Sequence, residues 1–456
     1  MNALARPRIT ILGAGLVGSL LATLLAQRGF AVEVFERRPD PRERGFLGGR
    51  SINLALAERG LQALREAGLA DTVLEQAVMM RGRMVHAADG SENLQRYGLD
   101  DSEVIRSVSR GGLNILLLDA AQRAGAHFHF NAALTRVDFD SAVITLASDD
   151  GTTRQHQAGL LLGCDGFGSV LRAAMLQQVD LGERIEPLGH GYKELEIPAL
   201  PGHGFAMEPN ALHIWPRGHY MCIALPNTEG TFTVTLFLPS TGPHPSLATL
   251  HDAATARSFF QEQFADALRL MPTFDHDWDA HPVGQLATLY LDRWYLDGRA
   301  LLLGDAAHAV VPFHGQGMNA GFEDAAELAG LMAAHPVDPA GVFGEFAQRR
   351  KANADAIAAM SLANYIEMRD CVADPHYLPK RELAAALTER LPDHFMSRYR
   401  MVSFTRLPYA YCVARNNEQT TLMESLLAGH TRIDEIDLTT ACARALRELS
   451  PLPKPN

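Results

Sequence analysis

The chain opens with a short apolar run, Ile9–Leu12, then GAGLVG, then Ser19–Gln27 with apolar residues at helical spacing. A second apolar run, Ala31–Phe35, ends at Glu36. This order of periods predicts a strand–helix–strand unit with parallel strands. Helical spacing returns at Leu54–Glu66 and Leu113–Arg123, whereas Met79–His86 alternates like a single strand that puts Arg81 and Arg83 on one face. From about His190 to Pro239 the pattern becomes β-rich, with HIWP, MCIALP and TFTVTLFLP separated by turn residues. These runs predict an antiparallel or mixed sheet forming one wall of a binding chamber. Strand, turn and helix return at Ala300, and after Pro339 the chain is helical, with Phe343–Tyr365 the longest stretch. With no repeat or linker-like run between them, the layers are expected to interleave.

Composition narrows the functional classes. The 456 residues carry 41 Lys plus Arg against 53 Asp plus Glu, a formal charge of -12. An acidic chain argues against a nucleic-acid partner, whose phosphates call for clustered cations. The 5 cysteines are scattered and form no C-x-x-C pair, which excludes a dithiol centre and a zinc ribbon and fits a reducing cytoplasm. No run approaches the roughly 20 apolar residues of a membrane span.

Three glycine-bearing segments carry the chemistry. Gly13-Ala14-Gly15-Leu16-Val17-Gly18 fits G-x-G-x-x-G between a strand and a helix. Gly13 permits the tight turn, Gly15 lets backbone approach a pyrophosphate, and Gly18 lets helix and strand pack closely. The helix start offers free N–H groups to phosphate, and Glu36 can accept bonds from ribose hydroxyls. The motif alone leaves NAD and FAD open. The second segment is Gly163-Cys164-Asp165-Gly166 after the apolar run Leu160–Leu162; the third is Gly304-Asp305 after Leu301–Leu303, continuing into PFHGQGMN, Pro312–Asn319. Asp305 at a strand end is placed for a sugar-alcohol hydroxyl, and the Gly315–Asn319 amides at a helix start suit the negative charge of a reduced flavin ring. Each segment alone also reads as a capping turn. His308 and His314 have no helical ligand spacing and no accompanying cluster, so no metal site is expected.

In this order the three segments resemble the flavin-dependent aromatic hydroxylases, the class A monooxygenases. FERRPDP (Phe35–Pro41), GRSINLALAERG (Gly49–Gly60), MMRGRMVH (Met79–His86), PFHGQGMN and RLPYA (Arg406–Ala410) are similar to the members that hydroxylate L-kynurenine. The resemblance implies an α/β fold: a Rossmann-type FAD-binding domain, an interleaved β-rich substrate domain and a C-terminal helical region. The expected bounds are 1–180 and 285–335 for FAD binding (79–100 reaching the substrate pocket), 181–284 for the β-rich domain, and 336–456 for helices capping the site.

FAD is expected to meet Gly13, Gly15, Val17, Gly18, Phe35, Glu36, Arg37, Arg38, Ala55, Arg110, Leu134, Asp165, Asp305, Gly317, Met318 and Asn319. The resemblance implies that Arg83, Tyr97, Asn364 and Tyr399 grip the substrate and that Phe237, Phe313, His314 and Met368 line its pocket. Arg83 suits a carboxylate because a planar guanidinium binds one bidentately. No side chain is expected to act as acid or base, with His314 a polar group of the pocket. There is one G-x-G-x-x-G, so NADPH is expected to reduce the flavin from a transient surface position, with O2 as oxidant. Animal relatives carry a C-terminal membrane anchor; the polar PLPKPN tail points to a soluble, cytoplasmic protein without membrane attachment, and a homodimer stays open. Two other readings are a hydroxylase of another aromatic acid and a redox-silent carrier of the GDP-dissociation-inhibitor type. A flavin halogenase is disfavoured because Trp215, Trp278 and Trp294 are isolated.

Overall fold

The computed structural model of the protein describes residues 6–44, 53–371 and 378–453; the first part of GRSINLALAERG, 49–52, lies outside them. A six-stranded sheet runs in the order Tyr295–Leu296, Ala300–Leu302, Leu160–Gly163, Ile9–Leu12, Val32–Phe35, His127–His129. Every pair is parallel except the Tyr295–Leu296 edge. Helices cover such a sheet on both faces, which is why Ile9–Leu12 is apolar almost throughout and entirely buried. Its register sets Leu12 beside Gly163 and Gly163 beside Leu302. The three glycine segments, far apart in sequence, therefore leave adjacent strands at the same end, where open parallel sheets bind their ligands.

A seven-stranded sheet follows the order Gly284–Tyr290, Arg184–Ile197, Phe232–Pro239, Met221–Pro226, Ala211–Pro216, Gly82–His86, Glu92–Arg96. One face packs on helices Ala253–Gln263 and Phe274–Ala280 through Trp215, Phe232, Phe260, Phe264 and Trp278. The opposite face carries Val85, Ile214, Met221 and Phe237 against Val311, Phe313, Tyr365 and Met368. The 28-residue helix Pro339–Ile366 and a widened π-type turn, Glu367–Cys371, bring the last two to this face. Helices Arg398–Phe404 and Tyr409–Leu427 pack on the long helix around Met401, Val402 and Tyr409.

Two sequence expectations are corrected. The helical spacing at Leu54–Glu66 starts as a strand, Asn53–Leu56, paired antiparallel with Ile105–Ser109, and becomes helix only at Glu58. The change falls where the Asn319 side chain accepts the Ala57 N–H at 2.9 Å and holds the turn. Met79–His86 is likewise two strands, Ala77–Met80 and Gly82–His86, in different sheets. Gly82 permits the switch: a Cβ there would lie 2.3 Å from the Gln95 carbonyl oxygen. Arg81 consequently pairs with Asp101 at 3.0 Å near the surface, whereas Arg83 turns into the interior.

Buried charge joins the end of the six-stranded sheet to the long helix and the C-terminal helices. Asp324, on helix Gly317–Ala334, accepts from the Gly304 N–H at 3.1 Å and from Arg350 Nε at 2.7 Å, and bonds His308 at 2.6 Å. Arg350 also donates to Glu323 at 2.6 Å, and Glu323 accepts from Arg59 at 2.9 Å. Arg59 lies over the Tyr409 ring at 3.8 Å and donates to the Leu407 carbonyl, which gives the RLPYA segment a physical role.

Removing one partner of such a network strands a charge. Arg350→Leu is expected to lose about 3 kcal/mol of stability at neutral pH, measured as the shift of the urea-unfolding free energy. Burial alone would raise the Asp324 pKa, but His308 and Arg350 outweigh it and hold the carboxyl at about 2. A depressed carboxyl stabilises the fold above its unfolded value of 3.8 and loses that contribution as pH falls towards 2, so the deficit of the variant should narrow below about pH 4.

Candidate active site

The dinucleotide turn is shaped as its glycines demand. Gly13 has φ 97°, and a Cβ there would lie 2.5 Å from the Cys164 carbonyl oxygen; one on Gly18 would lie 2.0 Å from the Gly13 oxygen. A Cβ on Gly15 would meet nothing within 4 Å, so that side of the turn is open to a ligand. Helix Leu16–Gln27 has no side-chain cap and no acidic residue in its first turn, leaving N–H groups for an anion. Asn114, which sequence reasoning missed, donates to the Ala14 carbonyl at 3.0 Å and fixes the turn from helix Arg110–Arg123. Glu36 accepts from the Ala14 N–H at 2.8 Å and the Arg38 N–H at 2.9 Å, and each oxygen keeps acceptor capacity.

Around this turn the other expected contacts divide by what they touch. Val17 fills the gap left by Gly304 and Gly321, whose added Cβ atoms would meet it at 3.2 Å and 2.6 Å. Asp305 is solvent-accessible yet surrounded by the bulk of the protein, which raises its pKa and places it in a deep recess. Arg110 is within electrostatic reach of Asp305 and of Tyr192 and Glu194 on the seven-stranded sheet. Arg37 and Arg38 are exposed beyond the second strand, and Ala55, Leu134 and Met318 are partly buried. Gly317 opens a helix that no side chain caps.

Three of the expected residues spend their side chains on protein. Phe35 stacks on His129 at 4.5 Å. Asp165 accepts the Val170 and Leu171 N–H groups at 2.8 and 3.2 Å through Oδ2, while its buried Oδ1 has no partner among the described residues. Asn319 bridges Ala55 and Gly315, donating 2.8 Å bonds to both carbonyls. Their backbones border the recess; their side chains build it.

Next to the recess is a buried apolar cluster, the candidate substrate pocket, with Arg83 at its edge. Arg83 is buried, and among the described residues no carboxylate pairs with it. Its guanidinium lies 5.7 Å from the Tyr97 ring and 5.2 Å from the Tyr399 ring, and these rings stack at 4.8 Å. Burial would lower the guanidinium pKa, but the charge is kept, with the Tyr97 hydroxyl oxygen in hydrogen-bond contact and the Glu367 carboxylate in electrostatic reach. Burial pushes both tyrosines up, so their hydroxyls stay protonated. Phe313 stacks on Tyr365 at 4.0 Å and meets Phe237 edge-on at 5.0 Å. Asn364 donates to the Phe313 carbonyl at 2.6 Å and to Met368 Sδ at 3.3 Å, bracing the wall.

His314 stacks on Tyr399 at 5.4 Å, and neither ring nitrogen has a partner among the described residues. Burial, helped by the Arg398 and Arg83 charges, brings its pKa down to about 3. The segment that places Phe313 and His314 in the pocket continues into the uncapped helix start at Gly317, so pocket and recess share a wall. The structure thus brings together all eight expected pocket residues; His308 instead serves the Asp324 network.

Residues 7–342 match the FAD binding domain family. The chain belongs to this family of FAD-dependent hydroxylases, and the expected architecture is borne out. Its curated relatives include kynurenine 3-monooxygenase of Xanthomonas axonopodis pv. citri (strain 306), 53% identical over 454 residues, 99% of each chain. Kynurenine 3-monooxygenase of Stenotrophomonas maltophilia (strain K279a) is 53% identical over 439 residues, 96% of each chain. Among solved structures, tetrameric 2-methyl-3-hydroxypyridine-5-carboxylic acid oxygenase shares the fold with TM-score 0.66 and 21% identity, covering 82% of this chain and 96% of its own. The tetracycline destructase Tet(51) gives TM-score 0.59 at 18% identity, covering 81% and 93%. The open face at Gly15, the uncapped helix and the recessed Asp305 carboxylate all fit FAD.

The neutral His314 has a consequence for stability. In the unfolded chain its pKa is the usual 6.5, so below that pH unfolding takes up a proton that the folded imidazole refuses until about 3. His314 therefore costs stability at low pH and not at high pH, about 2 kcal/mol at pH 5. Between pH 8 and pH 5, His314→Gln should gain about that much relative to the unchanged protein in urea unfolding. An unchanged difference would show that the imidazole is hydrated.

Proposed function

We propose that the protein uses NADPH and O2 to hydroxylate L-kynurenine to 3-hydroxy-L-kynurenine with FAD as its bound cofactor. The observation that carries this reading is the buried Arg83 charge, with no carboxylate within ion-pair distance among the described residues, set between two tyrosines beside an apolar cluster. A buried cation of this kind calls for an anion. A ligand with a carboxylate at one end and an aromatic ring at the other satisfies both ends of the pocket. The relatives named kynurenine 3-monooxygenase, which match nearly the whole chain, support the substrate.

The Gly13–Gly18 turn and the first helix would hold the pyrophosphate of FAD, Glu36 its ribose, and Asp305 its sugar-alcohol chain. When bound, FAD supplies the redox chemistry, accepting hydride from NADPH and activating O2 so that one oxygen atom reaches the substrate ring. The chain's own residues position and shield. Arg83 binds the α-carboxylate with Tyr97 and Tyr399 as neutral hydroxyl donors, which fixes the aromatic ring by its far end. Phe237, Phe313 and Met368 exclude water around that ring. Neutral His314 offers a donor and an acceptor without adding charge beside Arg83. The substrate's aniline nitrogen already enriches the ring carbon ortho to it, so no strong protein base is needed.

We place NADPH at a transient surface position. Among the described residues no helix is long and apolar enough to cross a membrane. Cys164, Cys222, Cys412 and Cys442 are free thiols, which supports a cytoplasmic location.

The deciding experiment is NADPH oxidation by the purified holoenzyme with and without L-kynurenine, with the product analysed by mass spectrometry. Stimulated oxidation and a product heavier by one oxygen atom are expected. Hydrogen peroxide as the sole product would point to another aromatic acid as substrate, and a protein that binds no flavin would support the redox-silent reading. Arg83→Ala should weaken L-kynurenine binding by about a hundredfold, a typical loss for a charged partner, while FAD stays bound. Unchanged binding would remove Arg83 as the anchor.

A further inference from the structure

The two tyrosines that flank Arg83 lie far apart in the chain, and an ion pair ties their segments together. Arg400 Nε donates to Glu103 Oε2 at 2.7 Å and its second guanidinium arm to Glu103 Oε1 at 2.6 Å, across 297 residues of sequence. The pair is bidentate and mostly shielded, with side-chain exposures of 10% and 22%. Two planar groups joined by two parallel bonds fix orientation as well as distance.

Both partners are themselves held. Glu103 closes the turn that follows Tyr97: its carboxylate accepts the Leu99 N–H at 3.1 Å, and a Cβ on Gly98 would lie 2.1 Å from its own Cβ. The Tyr97 N–H donates to the Arg81 carbonyl at 2.9 Å, so the turn hangs from the point where the chain changes sheets. Arg400 follows Tyr399 in the first turn of helix Arg398–Phe404, which Ser397 caps. Arg398, one residue before Tyr399, donates to Glu367 at 3.1 Å beside Met368.

We propose that Glu103 and Arg400 are positioning residues for substrate: their ion pair sets the Tyr97–Tyr399 stack, and with it the shape of the carboxylate site around Arg83. This rests on the reading of Arg83 as the carboxylate anchor. Neither residue touches the pocket's contents. Their effect is on how well the anchor is formed before substrate arrives, so it falls on affinity and not on the turnover of bound substrate.

The test measures the Kd of L-kynurenine for the oxidised holoenzyme by calorimetry, with KM and kcat beside it, in Glu103→Gln, Glu103→Asp, Arg400→Lys, the exchange Glu103→Arg with Arg400→Glu, and Arg83→Ala. FAD content and thermal melting confirm folding, and if one single variant fails to fold the other two carry the test. Kd and KM are expected to rise about tenfold in the single variants with kcat within about twofold, and the exchange is expected to regain most of the affinity. Single variants that bind like the unchanged enzyme overturn the proposal. So does an exchange that binds no better than the single variants, because the loss then comes from packing and not from the pair. A loss of kcat at unchanged KM overturns it as well. If Arg83→Ala binds L-kynurenine normally, the anchor reading fails and the proposal falls with it; if Arg83→Ala alone weakens binding, the anchor stands and the positioning role is wrong.

Discussion

Asp324 has no contact with solvent, and the geometry of the whole molecule passes through its two oxygens. One oxygen takes the Gly304 N–H and His308, which fixes the turn at the end of the nucleotide sheet; the other takes Arg350 from the long helix. A buried carboxylate is tolerated only when its lone pairs are filled by charged or polar donors. Here donors from two segments meet an acceptor on a third, so the helix cannot shift without exposing a charge. Through Arg350, Glu323 and Arg59 the same constraint reaches Tyr409 in the C-terminal helices. We read the network as a device for register, since a hydrophobic replacement of similar volume can match such networks in stability alone.

The recess and the pocket depend on that register. Val17 fits between Gly304 and Gly321 only while the Gly317–Ala334 helix stays where Asp324 holds it, and Gly60 brings another helix so near that a Cβ would lie 2.4 Å from Asn319 Oδ1. Asn319 then spends its amide on Ala55, Ala57 and Gly315. The result is a rigid partition with the nucleotide turn on one side and Phe313 and His314 on the other. A site built this way is organised before its ligands arrive, which lowers the cost of binding them.

Much of this was legible in the sequence where a residue type answers a local demand. The glycines of the first motif are needed because a Cβ would collide with backbone at Gly13 and Gly18, and such collisions belong to a turn that sequence can display. The apolar runs of both sheets were readable for the same reason. The buried ion network was not. Arg59, Glu323, Asp324 and Arg350 sit on helices whose polar residues look like a solvated face, and nothing local tells which of them turns inward. Arg81 and Arg83 show the limit most clearly, because alternation gives them one face and the structure gives them opposite fates. The signal was Gly82 between them, a residue with a reason to be small where two strands change sheets. The Glu103–Arg400 pair had no local signal at all, with 297 residues between its members.

The charge pattern of the pocket follows from what surrounds it. Burial keeps Tyr97 and Tyr399 protonated and His314 neutral, so of the eight expected pocket residues Arg83 alone carries a charge. A second cation beside Arg83 would compete for the same anion, and a carboxylate would satisfy it without substrate. The depressed His314 value is thus tied to the preserved Arg83 charge, because the same low-dielectric surroundings that neutralise the imidazole strengthen the pull of the guanidinium on an incoming carboxylate. On the proposed function, selectivity would come from length: a substrate would have to reach the guanidinium at one end with its ring among Phe237, Phe313 and Met368 at the other. Acids too short to span that distance leave either the charge unpaired or the apolar end wet, and both states are costly.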